Sequence, residues 1–236
     1  MEENKLGTMA KGLLIGATMI VPGVSGGTMA IILGIYDRLI SAVSSFGENI
    51  KRNLLFLVTF GMSAGLGLFL FSTPVSWLLE HYEFPTISFF IVVILCGVPV
   101  IGKKSGVEKV SFEVAAYMLL GAILVVSISK IPDNLFIAEN FVGLILAGLL
   151  SAAALILPGI SFSHFLLILG IYDSLLAAVK TLNLGFLIPL GAGVLAGIVL
   201  LSRLLENLMK KYPKQTYMII LGFILGSIAE IIVKFL

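Results

Sequence analysis

The apolar positions of this chain fall in long blocks separated by short charged or polar breaks. Runs at about 53–71, 85–101, 112–130, 140–157, 184–202 and 215–235 are each close to the ~17–25 residues that a helix needs to cross a hydrocarbon core. Two apolar stretches are interrupted from within. Val21-Pro22-Gly23-Val24-Ser25 runs on to Leu33-Gly34-Ile35-Tyr36-Asp37, and Leu157-Pro158-Gly159-Ile160-Ser161 runs on to Leu169-Gly170-Ile171-Tyr172-Asp173. A helix breaker followed by small polar residues leaves backbone groups without helical partners. In a bilayer this is tolerated only where they face protein, water or a ligand.

The two stretches are near copies. Placing Pro22 on Pro158 is an offset of 136 that also matches Gly12 with Gly148, Ser25 with Ser161, Gly34 with Gly170 and Tyr36-Asp37 with Tyr172-Asp173. Further on the offset becomes 130, pairing Asn53-Leu54 with Asn183-Leu184 and Gly61 with Gly191. The duplication divides a single membrane domain, 1–236, into a repeat at about 8–105, a central segment at about 106–138 with one apolar run, and a second repeat at about 139–236.

Length decides how each motif region meets the membrane. Thr8 to Ser45 as continuous helix would measure roughly 57 Å, nearly twice the ~30 Å core, and the part before Pro22 only ~21 Å. A helical hairpin that enters and returns satisfies both lengths. With two such hairpins, Lys5, Lys11, Lys51, Arg52, Lys103, Lys104, Lys109, Arg203, Lys210, Lys211 and Lys214 collect on one side, against Lys130, Lys180 and Lys234 on the other. If both regions crossed instead, the same charges would divide evenly, so the positive-inside bias favours hairpins, a cytoplasmic N-terminus and an extracytoplasmic C-terminus. Three crossings between the hairpins make the second enter from the opposite face. The expected fold class is an all-α polytopic membrane protein with inverted repeats, each a re-entrant helical hairpin followed by transmembrane helices.

Composition supports this reading: 59% of residues are hydrophobic, well above the roughly 45–50% of a soluble domain. Fifteen basic against 13 acidic residues leave a net charge of +2, which gives no reason to expect a nucleic-acid partner. The single Cys96 excludes an internal disulfide, and with two His the chain holds no evident metal site; no cofactor is expected. The segment after Lys11 reads as part of the repeat and not as a cleaved signal.

Pro and Gly turn each hairpin, and Ser25 and Ser161 are good N-caps for the returning helix. Each tip then presents unpaired amides and the positive end of a helix dipole, which suits an anion and above all a phosphate. Ser25, Gly26, Gly27 and Thr28 offer two hydroxyls and a close backbone; Ser161, Ser163 and His164 offer two hydroxyls and an imidazole that could also couple to protons. Arg38 could receive an incoming phosphate. Asp37, beside Arg38, reads as an interfacial ion-pair partner, whereas Asp173 stands beside Ser174; both are candidates for gating or proton coupling. Tyr36 and Tyr172 read as aromatic-belt residues. Glu80, His81 and Glu83 read as a loop, and Glu230 lies near the outer end of the last run. Capping serines, packing glycines and a core histidine remain the alternative to a functional site.

Pro-Gly-Val-Ser-Gly-Gly-Thr at 22–28 with Gly-Ile-Tyr-Asp at 34–37, and Pro-Gly-Ile-Ser at 158–161 with Gly-Ile-Tyr-Asp at 170–173, resemble the PopT-like polyprenyl-phosphate transporter family. The resemblance spans nearly the whole chain. It implies a plasma-membrane transporter that returns undecaprenyl phosphate from the outer to the cytoplasmic leaflet, with the lipid and the bilayer as partners. A homodimer is compatible with it. Undecaprenyl-pyrophosphate phosphatases also use hairpins, with Pro-Gly-x-Ser-Arg-Ser; here the arginine position is Gly26 or Phe162, so hydrolysis lacks its guanidinium and no enzyme is expected. A transporter or channel for a small soluble anion would use the same site.

Overall fold

The computed structural model describes residues 4–21, 23–107, 109, 111–133 and 139–235; the helix-breaking role read for Pro22 and part of the central segment lie outside them. Eleven α-helices follow in order among the described residues. These are α1 (Lys5–Thr18), α2 (Gly26–Ile32), α3 (Tyr36–Ser44), α4 (Ile50–His81), α5 (Glu83–Ser105), α6 (Phe112–Ser129), α7 (Phe141–Ile156), α8 (Phe162–Ile168), α9 (Tyr172–Thr181), α10 (Leu184–Lys211) and α11 (Pro213–Phe235). Polar caps start many of them: Asn4, Ser25, Asn49, Ser111, Asn140 and Ser161 each accept a bond from an amide of the first turn. Five helices, α4, α5, α6, α10 and α11, are long and apolar enough to cross a membrane. The chain is a multi-pass, all-helical membrane protein.

The element order of α1–α5 recurs in α7–α11, down to individual torsions. Gly23 and Gly159 have φ of +82° and +84°, and Gly34 and Gly170 of +67° and +72°, the left-handed region that glycine occupies without strain. In both copies the short returning helix ends in the same pair of backbone bonds. Gly34 donates to Ile31 and Ile35 to Ala30; Gly170 donates to Leu167 and Ile171 to Leu166. There the chain bends by 114° into α3 and by 110° into α9. The return is thus two short helices at a steep angle, where the sequence reading had one continuous arm. Gly-Ile after an apolar turn was the available signal.

Close backbone contacts fix the direction of the helices. Gly12 meets Phe60 and Ser63 while Gly16 meets Ala64 and Leu68, so α1 and α4 run parallel. Gly193 meets Ile145 and Gly197 meets Leu149 and Ala152, so α7 and α10 also run parallel. Parallel neighbours must begin on the same side, which requires α2–α3 and α8–α9 to bring the chain back to where α1 and α7 started. Lys214 bonds Glu113 at one end of α6 and α11, and Ser129 bonds Glu230 at the other, making a third parallel pair. The last turn of α5 lies beside the start of α11, with the Lys104 ammonium 5.9 Å from the Tyr217 ring, so those two are antiparallel.

The α4–α5 connection is Tyr82 alone, so Glu80 and His81 belong to the last turn of α4 and Glu83 opens α5, not an intervening loop. Trp77 stacks on His81 at 4.7 Å and meets Tyr82 edge-on at 5.8 Å, an aromatic cluster suited to a membrane interface. The core gathers on α11. Gly23 packs on Ile231, and Gly159 on Phe223 and Ser227, so both motif loops rest against this one helix.

Candidate substrate site

The two Pro-Gly-x-Ser loops meet. The Gly159 amide donates to Ser25 Oγ at 3.2 Å and to Thr28 Oγ1 at 3.1 Å, while Thr28 Oγ1 lies 3.4 Å from Ser25 Oγ. Ser25 also caps α2 by accepting from the Thr28 amide at 3.2 Å. One pair of hydroxyls in the first copy therefore both starts a helix and clamps the second copy. Thr28 is 1% exposed and Pro158 is fully buried, so this contact is dry.

Beside it lies a cavity of about 440 Å³. Its polar lining comes from both copies: Ser25, Gly26 and Gly27 at the start of α2, and Ser161 and Ser163 at the start of α8. Its walls are apolar, with Ile15 and Met19 of α1, Phe60 and Ala64 of α4, Ala154 to Ile156 of α7, and Ile198 of α10. The inner face of α3 supplies Tyr36, Leu39, Ile40 and Val43, at the spacing of one helical face. Met19 and Leu155 are partly exposed and Ser161 and Ser163 are exposed, which places the mouth on this side. A volume of this order with a few grouped polar atoms is typical of a small-molecule pocket.

Other candidates stand outside the lining. Thr28 faces the Gly159 amide instead of the space. His164 is half-buried on α8, its amide donating to Ser161 Oγ at 3.4 Å and its Nε2 buried without a partner among the described residues. Arg38 donates from Nη1 to Asn53 Oδ1 at 2.9 Å, with its guanidinium 4.5 Å from the Phe56 ring centre. Asp37 pairs with Lys104 Nζ at 2.5 Å, so this ion-pair partner comes from α5. Asp173 is exposed and has no ion pair among the described residues.

Two lining residues escaped the sequence reading. Tyr36 is buried, not interfacial, and its hydroxyl donates to the Ile156 carbonyl at 2.7 Å, joining α3 to the end of α7. Its duplication was a signal, but a hydrophobic neighbourhood suits belt and core tyrosines alike. Ser202 on α10 is 0% exposed, and its Oγ has no hydrogen-bond partner among the described residues. Nothing distinguished it from other small residues of an apolar run.

The family model for VCA0040-like proteins, described as undecaprenyl phosphate translocase-like, matches residues 15–234. The chain belongs to this family. A polyprenyl-phosphate transporter of Vibrio cholerae is 31% identical over 97% of this chain and 78% of its own length. A polyprenyl-phosphate transporter of Staphylococcus aureus is 30% identical over 97% of this chain and 86% of its own length. No solved structure matches the chain. Family membership covers both motif copies and both short returning helices, so the paired loops lie inside the matched region.

Proposed function

We propose that this protein carries a polyprenyl phosphate, with undecaprenyl phosphate the species its relatives suggest, from the outer to the cytoplasmic leaflet of the plasma membrane. One observation carries the reading: both Pro-Gly-x-Ser copies contribute their polar atoms to a single cavity whose other walls are apolar. A lipid phosphate has the matching shape, a compact anion on a long hydrocarbon. Moving that anion through hydrocarbon costs several kcal/mol or more unless hydrogen bonds replace water. In this site the Gly26 and Gly27 amides and the Ser25, Ser161 and Ser163 hydroxyls receive the phosphate, Arg38 assists it at the cytoplasmic end, and Met19 and Leu155 border the path of the tail. Thr28 holds the tips together, His164 backs α8, and Asp37 and Asp173 act in gating.

The parallel pairing of α1 with α4 and of α7 with α10 supports two re-entrant hairpins, and the antiparallel packing of α5 on α11, which follow α4 and α10 after a single tyrosine each, supports inverted repeats. The charge bias supports a cytoplasmic N-terminus. Transport proceeds without hydrolysis, because Gly26 and Phe162 occupy the positions where a phosphatase loop needs its arginine. The test is reconstitution into liposomes with labelled undecaprenyl phosphate, following leaflet exchange and phosphate release together. Protein-dependent exchange with intact lipid is the expected result. No exchange, accumulation of free phosphate, or flux of inorganic phosphate in place of lipid would overturn the proposal.

A further inference from the structure

The two copies share sequence, helix caps and backbone turns but differ in a few side-chain contacts, and the difference has one sense throughout. In the first copy Tyr36 bonds the Ile156 carbonyl, Asp37 pairs with Lys104, and Ser25 with Thr28 holds the amide of the opposite loop. The equivalent positions in the second copy are Tyr172, Asp173, Ser161 and His164. The equivalent of Lys104 is Lys234. Helices α5 and α11 both have 23 residues, both follow a single tyrosine, Tyr82 or Tyr212, and both align at an offset of 130. None of the second set of contacts is made among the described residues. Asp173 and Lys234 are both exposed, and the Lys234 ammonium lies 5.7 Å from the ring of adjacent Phe235.

These contacts act on the cavity. Helix α3 covers one side of it and is tied at both ends, by Asp37 to Lys104 at its start and by Ser44 to Glu206 at its finish, where Arg203 Nε also donates to the Ser44 carbonyl at 3.3 Å. The mouth lies instead beside α8, whose serines are exposed. The structure therefore has a latched cover, α3, on the side of the first copy, while its counterpart α9 lacks the corresponding Asp173–Lys234 pair among the described residues.

We infer that Asp173 and Lys234 form a second ion pair in another conformation, and that the Asp37–Lys104 and Asp173–Lys234 pairs alternate as latches on α3 and α9. The inference rests on the transport reading above and adds its two-state element. Asp37 is the partly exposed partner of a partly exposed lysine, and such pairs are weak enough to break and reform during a transport cycle. The tips meet at one interface, so a clamp of the first copy on Gly159 competes with its mirror image, the second copy on Gly23. Two conformations of similar free energy, each closed on one side, are what inverted repeats provide.

The test uses the full chain with Cys96→Ala, reconstituted in liposomes, carrying Asp37→Cys with Lys104→Cys, Asp173→Cys with Lys234→Cys, or all four, and a short bifunctional thiosulfonate. Both pairs should bridge when alone. In the four-cysteine protein, chains carrying both bridges should be at least tenfold rarer than independent bridging predicts, and added undecaprenyl phosphate should shift the ratio of the two. Absence of the 173–234 bridge, or both bridges in one chain at the independent frequency, overturns the inference. As a second measure, Asp173→Lys with Lys234→Asp should recover the transport rate that either change alone lowers; no recovery also counts against it. Bridging is read without any transported lipid. Alternating bridges in a protein that moves no lipid phosphate would therefore reject the transport reading alone, and exchange without the 173–234 bridge would reject the latch alone.

Discussion

The Gly159 amide has two acceptors, and this redundancy gives a quantitative prediction. Thr28→Val keeps shape and removes one acceptor, leaving Ser25 Oγ at 3.2 Å; the expected loss is about 0.5–1 kcal/mol, as for one hydrogen bond inside a membrane protein. Ser25→Ala removes the other acceptor and also the N-cap of α2, for about 1–2 kcal/mol. Neither single change leaves the amide bare. The double variant does, in a contact where Thr28 is 1% exposed and Pro158 is buried, and an unsatisfied buried donor adds about 1–3 kcal/mol. The pair should therefore be non-additive, with the double variant worse than the sum of the singles by more than about 1 kcal/mol, a several-fold change in the unfolding equilibrium. The assay is reversible unfolding in mixed micelles, with the four proteins of the cycle measured together. Additive losses, or a double variant no worse than Ser25→Ala, would refute the shared-amide reasoning.

Further outcomes follow from the same packing. Gly16→Leu should abolish folded protein, because even a Cβ there would lie 1.9 Å from the Ala64 carbonyl oxygen, and size-exclusion profiles of the expressed protein check it. Gly34→Ala meets nothing within 4 Å and should cost only the left-handed conformation, about 1–2 kcal/mol, whereas Gly159→Ala adds a 2.6 Å approach to the Phe223 carbonyl oxygen and should be worse in the same unfolding assay. Tyr36→Phe should lower stability by about 0.5–1.5 kcal/mol and Tyr172→Phe by much less, since only Tyr36 bonds a carbonyl across the repeats. Ser202→Ala should leave stability unchanged or higher, because it removes a buried hydroxyl without a partner, while lowering leaflet exchange if that hydroxyl meets the lipid phosphate.

Much of the fold was legible because it depends on patterns that the bilayer makes strict. Apolar runs located α4, α5, α6, α10 and α11, and Pro-Gly-x-Ser located both helix breaks. The extent of α4 was not legible: it continues through Pro74 to His81, since a membrane helix may extend into water once its apolar length is satisfied. The 114° bend after α2 was also missed, because Leu33-Gly34-Ile35 is as apolar as its surroundings and only the glycine marks it. For the candidate site, residue type gave the chemistry but not the pairing. Ser25 and Thr28 read equally well as anion ligands or as structural donors and acceptors, and only the position of Gly159 separates these uses. Ion pairing was the least legible, since Lys104 is 67 residues from Asp37 and reached it through the packing of α5.

That difference in use explains why the copies diverge where they do. At the first tip, a Cβ on Gly27 would lie 3.4 Å from Pro158 Cα, so the second loop rests directly on the first turn of α2. Small residues at 26 and 27 let it approach, and Ser25 with Thr28 supplies the acceptors its amide needs. At the first turn of α8 no such contact is made among the described residues. Phe162 stands where Gly26 stands, lining the cavity with an apolar ring, while Ser161 and Ser163 remain exposed at its mouth. In the proposed mechanism Thr28 is given over to joining the halves and Ser25 serves both the joint and the substrate, whereas the second copy leaves both its hydroxyls for the substrate. Exchanging Gly26-Gly27-Thr28 for Phe162-Ser163-His164 between the copies should then destroy tip contact and substrate site together, because each sequence suits the other's neighbour poorly. Retained stability with lost exchange would show that joining and binding are separable, and would confine the role of the first tip to the lipid.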